Sequence, residues 1–182
     1  MTDADRFEAF VREFQDMVFA TAVRLLGNPA EAEDAAQTVF LKAFERFQDI
    51  GASPTVAGWL KTVTTNVCLN HLSRHRSRWR LFSELDSPSA EGGVRTFESG
   101  LASDDESVAS ELEAADEHKR LERALRQLSD HQRVPLVLFH FENQSYQDIA
   151  DTLGVSLAKV KTDIYRGREA LRDILRPDHG TR

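Results

Sequence analysis

The chain has 182 residues, of which 41% are hydrophobic and 29% charged, and its formal net charge is −7. This apolar content excludes wholesale disorder, and the single cysteine, Cys68, excludes an intramolecular disulfide framework. No apolar run approaches the roughly 20 residues that a membrane span needs, and the acidic N-terminus does not resemble a signal peptide. The sequence therefore predicts a cytoplasmic protein without membrane insertion.

The charge is distributed unevenly along the chain. Residues 79–118 carry 2 basic and 11 acidic side chains, whereas residues 119–182 carry 12 basic and 9 acidic ones. The acidic middle is also rich in Ser, Ala and Gly, a composition that buries too little apolar surface to offset the entropy of ordering it. The sequence predicts a flexible acidic linker over 81–117, between one domain at 1–80 and a second at 118–178.

The first domain is predicted to be helical throughout. Apolar residues recur at three- and four-residue steps from Phe7 to Leu25, which is the period of an amphipathic helix, and Gly27 is placed to end it. Asn28 and the proline after it predict the start of a second helix, with Glu31 as a capping-box partner. Ser53, also followed by proline, precedes a third. The phenylalanines expected in the core are Phe7, Phe10, Phe14, Phe40 and Phe47.

The third helix is predicted to end in a basic segment without acids, from His71 to Arg80, which includes Trp79. Arginine and aromatic side chains together suit phosphate contact and base stacking. A solvated helix end, with cations near the C-terminal dipole, remains an alternative. Cys68, His71 and His75 share one helix face and could ligate a metal. Only three ligands are visible, so the sequence predicts no metal and no cofactor.

The second domain opens with a short helix that leads into an apolar run from Val134 to Phe141, which predicts a buried helix. Ser129 is placed to start this helix, as a capping box with Gln132. Pro135 lacks an amide donor and is expected to kink the helix or to delay its start.

The next stretch predicts a helix-turn-helix. Ser145 can cap one helix with Asp148 three residues later, Gly154 can supply the turn, and Ser156 can cap the following helix. A cationic, hydroxyl-bearing face on that last helix could anchor phosphates and read base edges. A generic three-helix scaffold with a solvated face is the alternative. The residues expected on this face are Lys159, Lys161, Thr162, Tyr165, Arg166 and Arg168.

Two stretches of each domain resemble one family, the extracytoplasmic-function (ECF) sigma factors of bacterial RNA polymerase. Residues 32–44, AEDAAQTVFLKAF, are similar to the family's DAEDLVQETFLKAW helix, and residues 59–66, WLKTVTTN, to its WLxxIAxN segment. Residues 145–155 resemble LSYxEIAxxLGV, and residues 160–171 resemble VKSRLxRARxxL. The motifs stand in the family's order, with a variable linker between the pairs.

The resemblance implies an all-α promoter-specificity subunit of two small helical domains, whose partners are core RNA polymerase, promoter DNA and an anti-sigma factor. The first domain would bind the polymerase and capture the minus-ten element as a single strand, with Asn66 holding a flipped base. The second would read the minus-thirty-five duplex through the helix face named above. The implied polymerase contacts are Asp34, Gln37, Thr38, Leu41 and Glu45. The implied minus-ten contacts are Trp59, Lys61, Asn66, Asn70, Arg74, Arg76 and Arg78.

Some residues depart from the family pattern. Asn70 stands where many members have Asp, Asp163 is expected to bring a carboxylate near DNA, and Gly167 replaces Ala at a helix cost of up to about 1 kcal/mol. An enzyme is not predicted, because the sequence has no Gly-rich phosphate loop and no nucleophile elbow. The competing prediction is an autonomous helix-turn-helix regulator that binds duplex DNA without polymerase.

Overall fold

The computed structural model describes residues 2–74 and 108–176, which fold into helices without any strand. This confirms the all-α prediction. None of the helices within those residues is long and apolar enough to cross a membrane. In the first domain the helices are α1 (Asp3–Leu26), α2 (Pro29–Glu45), α3 (Phe47–Ile50) and α4 (Val56–Arg74). In the second they are α5 (Val108–Gln127), α6 (Asp130–His140), α7 (Tyr146–Leu153) and α8 (Leu157–Leu175).

Two of the three signals predicted for the end of α1 and the start of α2 act as predicted. Gly27 ends α1 with a left-handed φ of 68°, and its amide donates to the carbonyl oxygen of Val23. Asn28 caps α2, its Oδ1 accepting from the amide of Ala30 at 2.9 Å. Glu31 does not complete a capping box, and its carboxylate lies 3.5 Å from Nε2 of His71 on α4 instead.

An aromatic core holds α1, α2, α3 and α4 together, as the sequence predicted. Phe10 and Phe47 are buried and their ring centroids lie 5.4 Å apart. Phe7, Phe14 and Phe40 are partly buried against the same cluster. Val39 and Leu60 are fully buried within it.

The second domain differs from the prediction at three points. Residues 108–117, assigned to the linker, belong to α5. The side chain of Ser129 makes no capping hydrogen bond to the α6 backbone, and its hydroxyl lies 3.4 Å from Nε2 of His131. Pro135 does not delay the start of α6, which begins at Asp130, and it is buried inside the helix.

Gly167 has a packing role that the helix propensity scale does not capture. It is buried on α8, and a Cβ added there would lie 3.0 Å from the backbone carbonyl oxygen of Gln132. Glycine therefore lets α8 approach the first turn of α6 closely.

The two domains pack against each other through α1, which contacts both α5 and α6. A shared hydrophobic cluster contains Leu25 from the first domain and Leu125 and Val137 from the second. Arg24 forms an ion pair with Glu122, with Nη2 and Oε1 2.6 Å apart. The described residues thus form one packed body in which surfaces of both domains meet.

Candidate nucleic-acid and protein interfaces

The helix-turn-helix forms as predicted. The Ser145 hydroxyl accepts from the amide of Asp148 at 3.1 Å, and the Asp148 carboxylate accepts from the amide of Ser145, which completes the capping box of α7. Gly154 ends α7 with a φ of 66°, and Ser156 caps α8 by accepting from the amide of Lys159 at 3.2 Å. Buried Ile149 packs within the cluster that sets the angle between the two helices.

The exposed face of α8 carries part of the predicted set of duplex-reading residues. Lys161 and Tyr165 are exposed, while Thr162 and Arg166 are half-exposed. The hydroxyl of Thr162 donates to the carbonyl oxygen of Ala158 at 3.0 Å. These side chains form a surface with one cation at each end and hydroxyls between them, which suits contact with phosphates and base edges.

Two other predicted members of that face, Lys159 and Arg168, contact side chains of their own domain instead. The ammonium of Lys159 lies 3.0 Å from a carboxylate oxygen of Asp163. Asp163 itself is buried, so the expectation that it brings a carboxylate to the DNA face is wrong. Burial raises the pKa of Asp163, although the hydrogen bond and charge of Lys159 act in the opposite direction.

Arg168 is held by the end of α6. Its guanidinium donates from Nε to Nε2 of His140 at 3.1 Å and lies over the ring of Phe139, 5.5 Å from the centroid. Burial, followed by the charge of Arg168, lowers the pKa of His140. Phe139 in turn stacks on Tyr146, with centroids 4.7 Å apart. Arg168 therefore links α8 to α6 and α7.

The predicted minus-ten surface lies along α4. Asn66, Asn70 and Arg74 are exposed and follow one another at four-residue steps, so they form one row on the helix. Lys61 is exposed earlier on the same helix, whereas Trp59 is half-buried against the aromatic core. Arg76 and Arg78, from the same predicted set, lie outside the described residues.

The predicted polymerase-binding surface is the outer face of α2. Its five predicted residues, Asp34, Gln37, Thr38, Leu41 and Glu45, are all exposed, opposite a buried face that contains Val39 and Ala43. Leu41 is 67% exposed and Phe44, which the sequence analysis missed, is 60% exposed. The available signal for Phe44 was its position off the apolar stripe that faces the core.

A groove of about 730 Å³ runs beside this face, between α1 and α2. Phe7, Phe19 and Phe40 line it together with Leu41 and Phe44. An apolar groove with acidic and amide side chains at its rim suits an amphipathic helix from a partner.

The metal-site alternative finds no support among residues 2–74 and 108–176, where no group of His, Cys, Asp and Glu is arranged to hold an ion. His75, one of the three candidate ligands, lies outside those residues. Cys68 is fully buried, and burial, with a smaller effect of Glu142, raises the pKa of its thiol to about 12.

Comparison with known proteins links both domains to one class. A family model described as "Sigma-70 region 2" matches residues 10–78, and one described as "Sigma-70, region 4" matches residues 118–171. Together they cover about two thirds of the chain.

Individual relatives extend the similarity to nearly the whole chain. The "ECF RNA polymerase sigma factor SigW" of Bacillus subtilis is 28% identical over 178 residues, which cover 96% of this chain and 91% of the relative. The "ECF RNA polymerase sigma factor SigE" of Mycolicibacterium smegmatis is 34% identical, over 93% of this chain and 61% of the relative. Among solved structures, the sigma factor RpoE in complex with the anti-sigma factor NepR from Bartonella quintana aligns over 95% of this chain and 98% of that one, at 24% identity and a TM-score of 0.49.

Proposed function

The chain belongs to the extracytoplasmic-function sigma factors, which bind core RNA polymerase and direct promoter recognition, and we propose how its exposed surfaces divide that work. The observation that carries the proposal is the pair of large apolar side chains, Leu41 and Phe44, left in solvent on α2. As a transcription initiation factor, the chain is inferred to catalyse no reaction itself. We also infer a cytoplasmic location, where the polymerase acts on the chromosome.

The outer face of α2 is the proposed site for core polymerase. Exposed apolar residues in a soluble protein commonly mark a partner surface when they adjoin a groove. Leu41 and Phe44 would form the apolar centre of the contact, and Asp34, Gln37 and Glu45 would form its polar rim.

The row on α4 is the proposed site for the minus-ten strand. The amides of Asn66 and Asn70 can pair with base edges, and Asn66 is the residue proposed to hold a flipped base. Arg74 and Lys61 can neutralise phosphates along the same strand. Extruding a base costs a few kcal/mol, which these contacts and the polymerase together would offset.

The face of α8 is the proposed reader of the minus-thirty-five duplex, with Lys161, Thr162, Tyr165 and Arg166 in contact with DNA. Each well-made base contact is worth roughly 1–3 kcal/mol of discrimination. Because Lys159 and Arg168 are engaged with Asp163 and His140, we propose that they support the face rather than read bases.

The polymerase contact is tested by measuring the affinity of the full-length protein for core enzyme. We expect Leu41→Ser and Phe44→Ser each to weaken association about tenfold or more, because apolar centres of interfaces carry most of the binding energy. Asp49→Ser, an exposed change on neighbouring α3, serves as the control. Equal affinities in all three variants would show that core polymerase binds a different surface of the protein.

The DNA contacts are tested by run-off transcription with core polymerase. Asn66→Ala should impair strand opening, read as lower permanganate reactivity at a promoter that the wild-type protein opens. Lys161→Ala should lower initiation that depends on the minus-thirty-five element but leave core association unchanged, with Lys119→Ala on α5 as the control. If Lys161→Ala also lost core association, the proposed division of labour would be wrong.

The autonomous regulator is not favoured by the family matches, which extend over both domains. A gel shift separates the two functions, because a regulator shifts its duplex site alone whereas a sigma factor needs the polymerase. We also propose an anti-sigma partner, on the ground of family membership.

A further inference from the structure

Asp163 carries a buried carboxylate on the helix that is proposed to read the duplex. Its side chain is 3% exposed and lies on the inner face of α8, where Val160, Ile164 and Gly167 are buried as well. The ammonium of Lys159 lies 3.2 Å from Oδ1 of this carboxylate and 3.0 Å from Oδ2. A buried charge is costly when it has no partner, so the carboxylate strongly favours this position of the ammonium.

Two other basic side chains face the same carboxylate. Burial raises the pKa of Asp163, whereas the hydrogen bond and charge of Lys159 lower it, followed by the charges of His131 and Arg166. His131 lies in the first turn of α6, the turn that Gly167 allows α8 to approach closely. Asp163 therefore faces basic groups of two helices, and Lys159 has the largest effect among them.

The formation of α8 alone does not favour the pair of Lys159 and Asp163. Lys159 is the third residue of the helix, where the positive end of the helix dipole disfavours a cation. A lysine four residues before an acid is also the less favourable order for an ion pair along a helix. The main effect of the pair is therefore on the charge that α8 presents to a ligand.

Lys159 lies at the border of the exposed face of α8. Lys159, Thr162 and Arg166 follow one another at three- and four-residue steps, so they form one row on the helix. The side chain of Lys159 is nevertheless only 20% exposed, because its ammonium contacts the buried carboxylate. Without that carboxylate the flexible side chain would be free to extend beside Thr162 and Arg166 and to contact a DNA phosphate.

We propose that Asp163 is a positioning residue that holds the ammonium of Lys159 away from the DNA backbone and so limits the number of phosphate contacts made by α8. The inference rests on the proposed role of α8 as the reader of the minus-thirty-five duplex. Phosphate contacts add affinity for every sequence alike, whereas base contacts discriminate between sequences. By withholding one cation, Asp163 lowers the affinity of α8 for DNA in general.

The test measures how the affinity of the holoenzyme for duplex DNA depends on salt. Core polymerase is loaded with the full-length protein, and binding is followed by the anisotropy of two fluorescein-labelled duplexes. One duplex carries the minus-thirty-five element of a promoter that supports run-off transcription, and the other has a scrambled sequence. The slope of log affinity against log salt changes by about 0.9 for each phosphate contact. A purely structural effect of a substitution would leave this slope unchanged.

Asp163→Asn removes the charge and nearly keeps the shape of the side chain. We expect its slope to steepen by about 0.9 on both duplexes, and its affinity at about 0.1 M salt to rise about fivefold. Adding Lys159→Gln to Asp163→Asn should restore the wild-type slope. The control is Asp173→Asn, the same change of charge at an exposed acid of α8 that pairs with Arg176. This control should keep the wild-type slope.

Lys159→Gln in the otherwise wild-type protein retains a donor for the carboxylate and is expected to keep the wild-type slope. A slope about 0.9 shallower would overturn the inference, because Lys159 would then already contact a phosphate. An unchanged slope in folded Asp163→Asn would also overturn it, as would a gain confined to the promoter duplex. If circular dichroism showed that Asp163→Asn does not fold, the slope of Lys159→Gln alone would decide.

Lys161→Ala separates a failure of the inference from a failure of the proposed function. Lys161 is exposed on α8, so its loss should make the slope about 0.9 shallower. An unchanged slope in Lys161→Ala would show that α8 does not face the duplex, and the proposed function would fall together with the inference. A shallower slope there, with no change in Asp163→Asn, would overturn the inference alone.

Discussion

Arg133 is the buried cation that joins the two domains, and its replacement is the most informative stability experiment on this protein. The side chain is 3% exposed. Its guanidinium donates to the carbonyl oxygens of Leu25 at 3.3 Å and Leu26 at 3.0 Å, at the end of α1, and to that of Leu128 at 2.8 Å in its own domain. It also pairs with the carboxylate of Asp130.

Arg133→Met keeps the apolar stem but removes every donor, so three carbonyl oxygens lose their partner. The carboxylate of Asp130 is half-exposed, so the cost comes from the carbonyl oxygens, and each buried acceptor left without a donor typically costs about 1–3 kcal/mol. The carbonyls of Leu25 and Leu26 lie at the negative end of the α1 dipole, which adds to the loss. If the domains separate, water can hydrogen-bond to these carbonyl oxygens, and this limits the loss in the free energy of unfolding. We expect the free energy of unfolding to fall by about 3 kcal/mol.

The assay is urea denaturation of the full-length protein followed by far-ultraviolet circular dichroism. Arg133→Lys keeps the charge but lacks the planar fork, and should recover about 1 kcal/mol of the loss. Arg126→Met, an exposed change on α5, should stay within about 0.5 kcal/mol of wild type. A loss below about 1 kcal/mol in Arg133→Met would refute the reasoning, because removing a buried cation that bridges α1 and α6 should cost more than that.

Three further predictions concern single residues. Gly154→Ala should destabilise by about 1 kcal/mol and Gly154→Asn by less, in thermal unfolding, because the position has a φ of 66°. The pKa of Asp163 is raised by burial, so the folded state binds its proton more tightly and stability falls as pH rises from 3.8 through the higher folded value. Asp163→Asn should abolish that decline in a pH series of urea curves, and a wild type that gained stability over the variant across this window would contradict the sign. The pKa of His140 is lowered from 6.5, so stability should fall as pH drops below 6.5, and His140→Gln should flatten this fall.

The local start and stop signals were readable from sequence because each depends on residues a few positions apart. Gly27, Asn28 and Ser145 all act as predicted at helix ends. Gly27 also has a role that sequence could not reveal. A Cβ there would lie 2.6 Å from the guanidinium carbon of Arg133, more than one hundred residues away in the chain.

Long-range contacts account for two incorrect predictions, the start of α5 and the position of Asp163. The first half of α5 is acidic, a composition typical of a linker, and residues 113–117 are exposed, yet this half continues into a second half that buries Ala124 and Leu125. Helix formation is cooperative, so packing at one end extends the helix toward the other. Asp163 was misplaced for a related reason, because only the packed domain shows that Lys159 can accompany it into the interior.

The exposed surface of α2 was only partly predictable from the sequence. Leu41 was predicted as a polymerase contact through the family resemblance, and the structure shows that it is exposed. Phe44 was not predicted because phenylalanine is usually buried. The arrangement of the two domains gave no signal at all. No periodic pattern links α4 to residues 141–144, although the structure brings them to one cavity.

The packing between the domains sets an energetic cost for any step that separates them. Separation would expose apolar side chains of the shared cluster, including Leu25 and Leu125, which are both nearly fully buried while the domains are packed together. Each Å² of apolar surface returned to water costs about 25 cal/mol. If the polymerase separates the domains, its contacts with this chain must offset that free energy. Leu41 and Phe44 could contribute to such contacts from the start, because they are exposed while the domains are packed together.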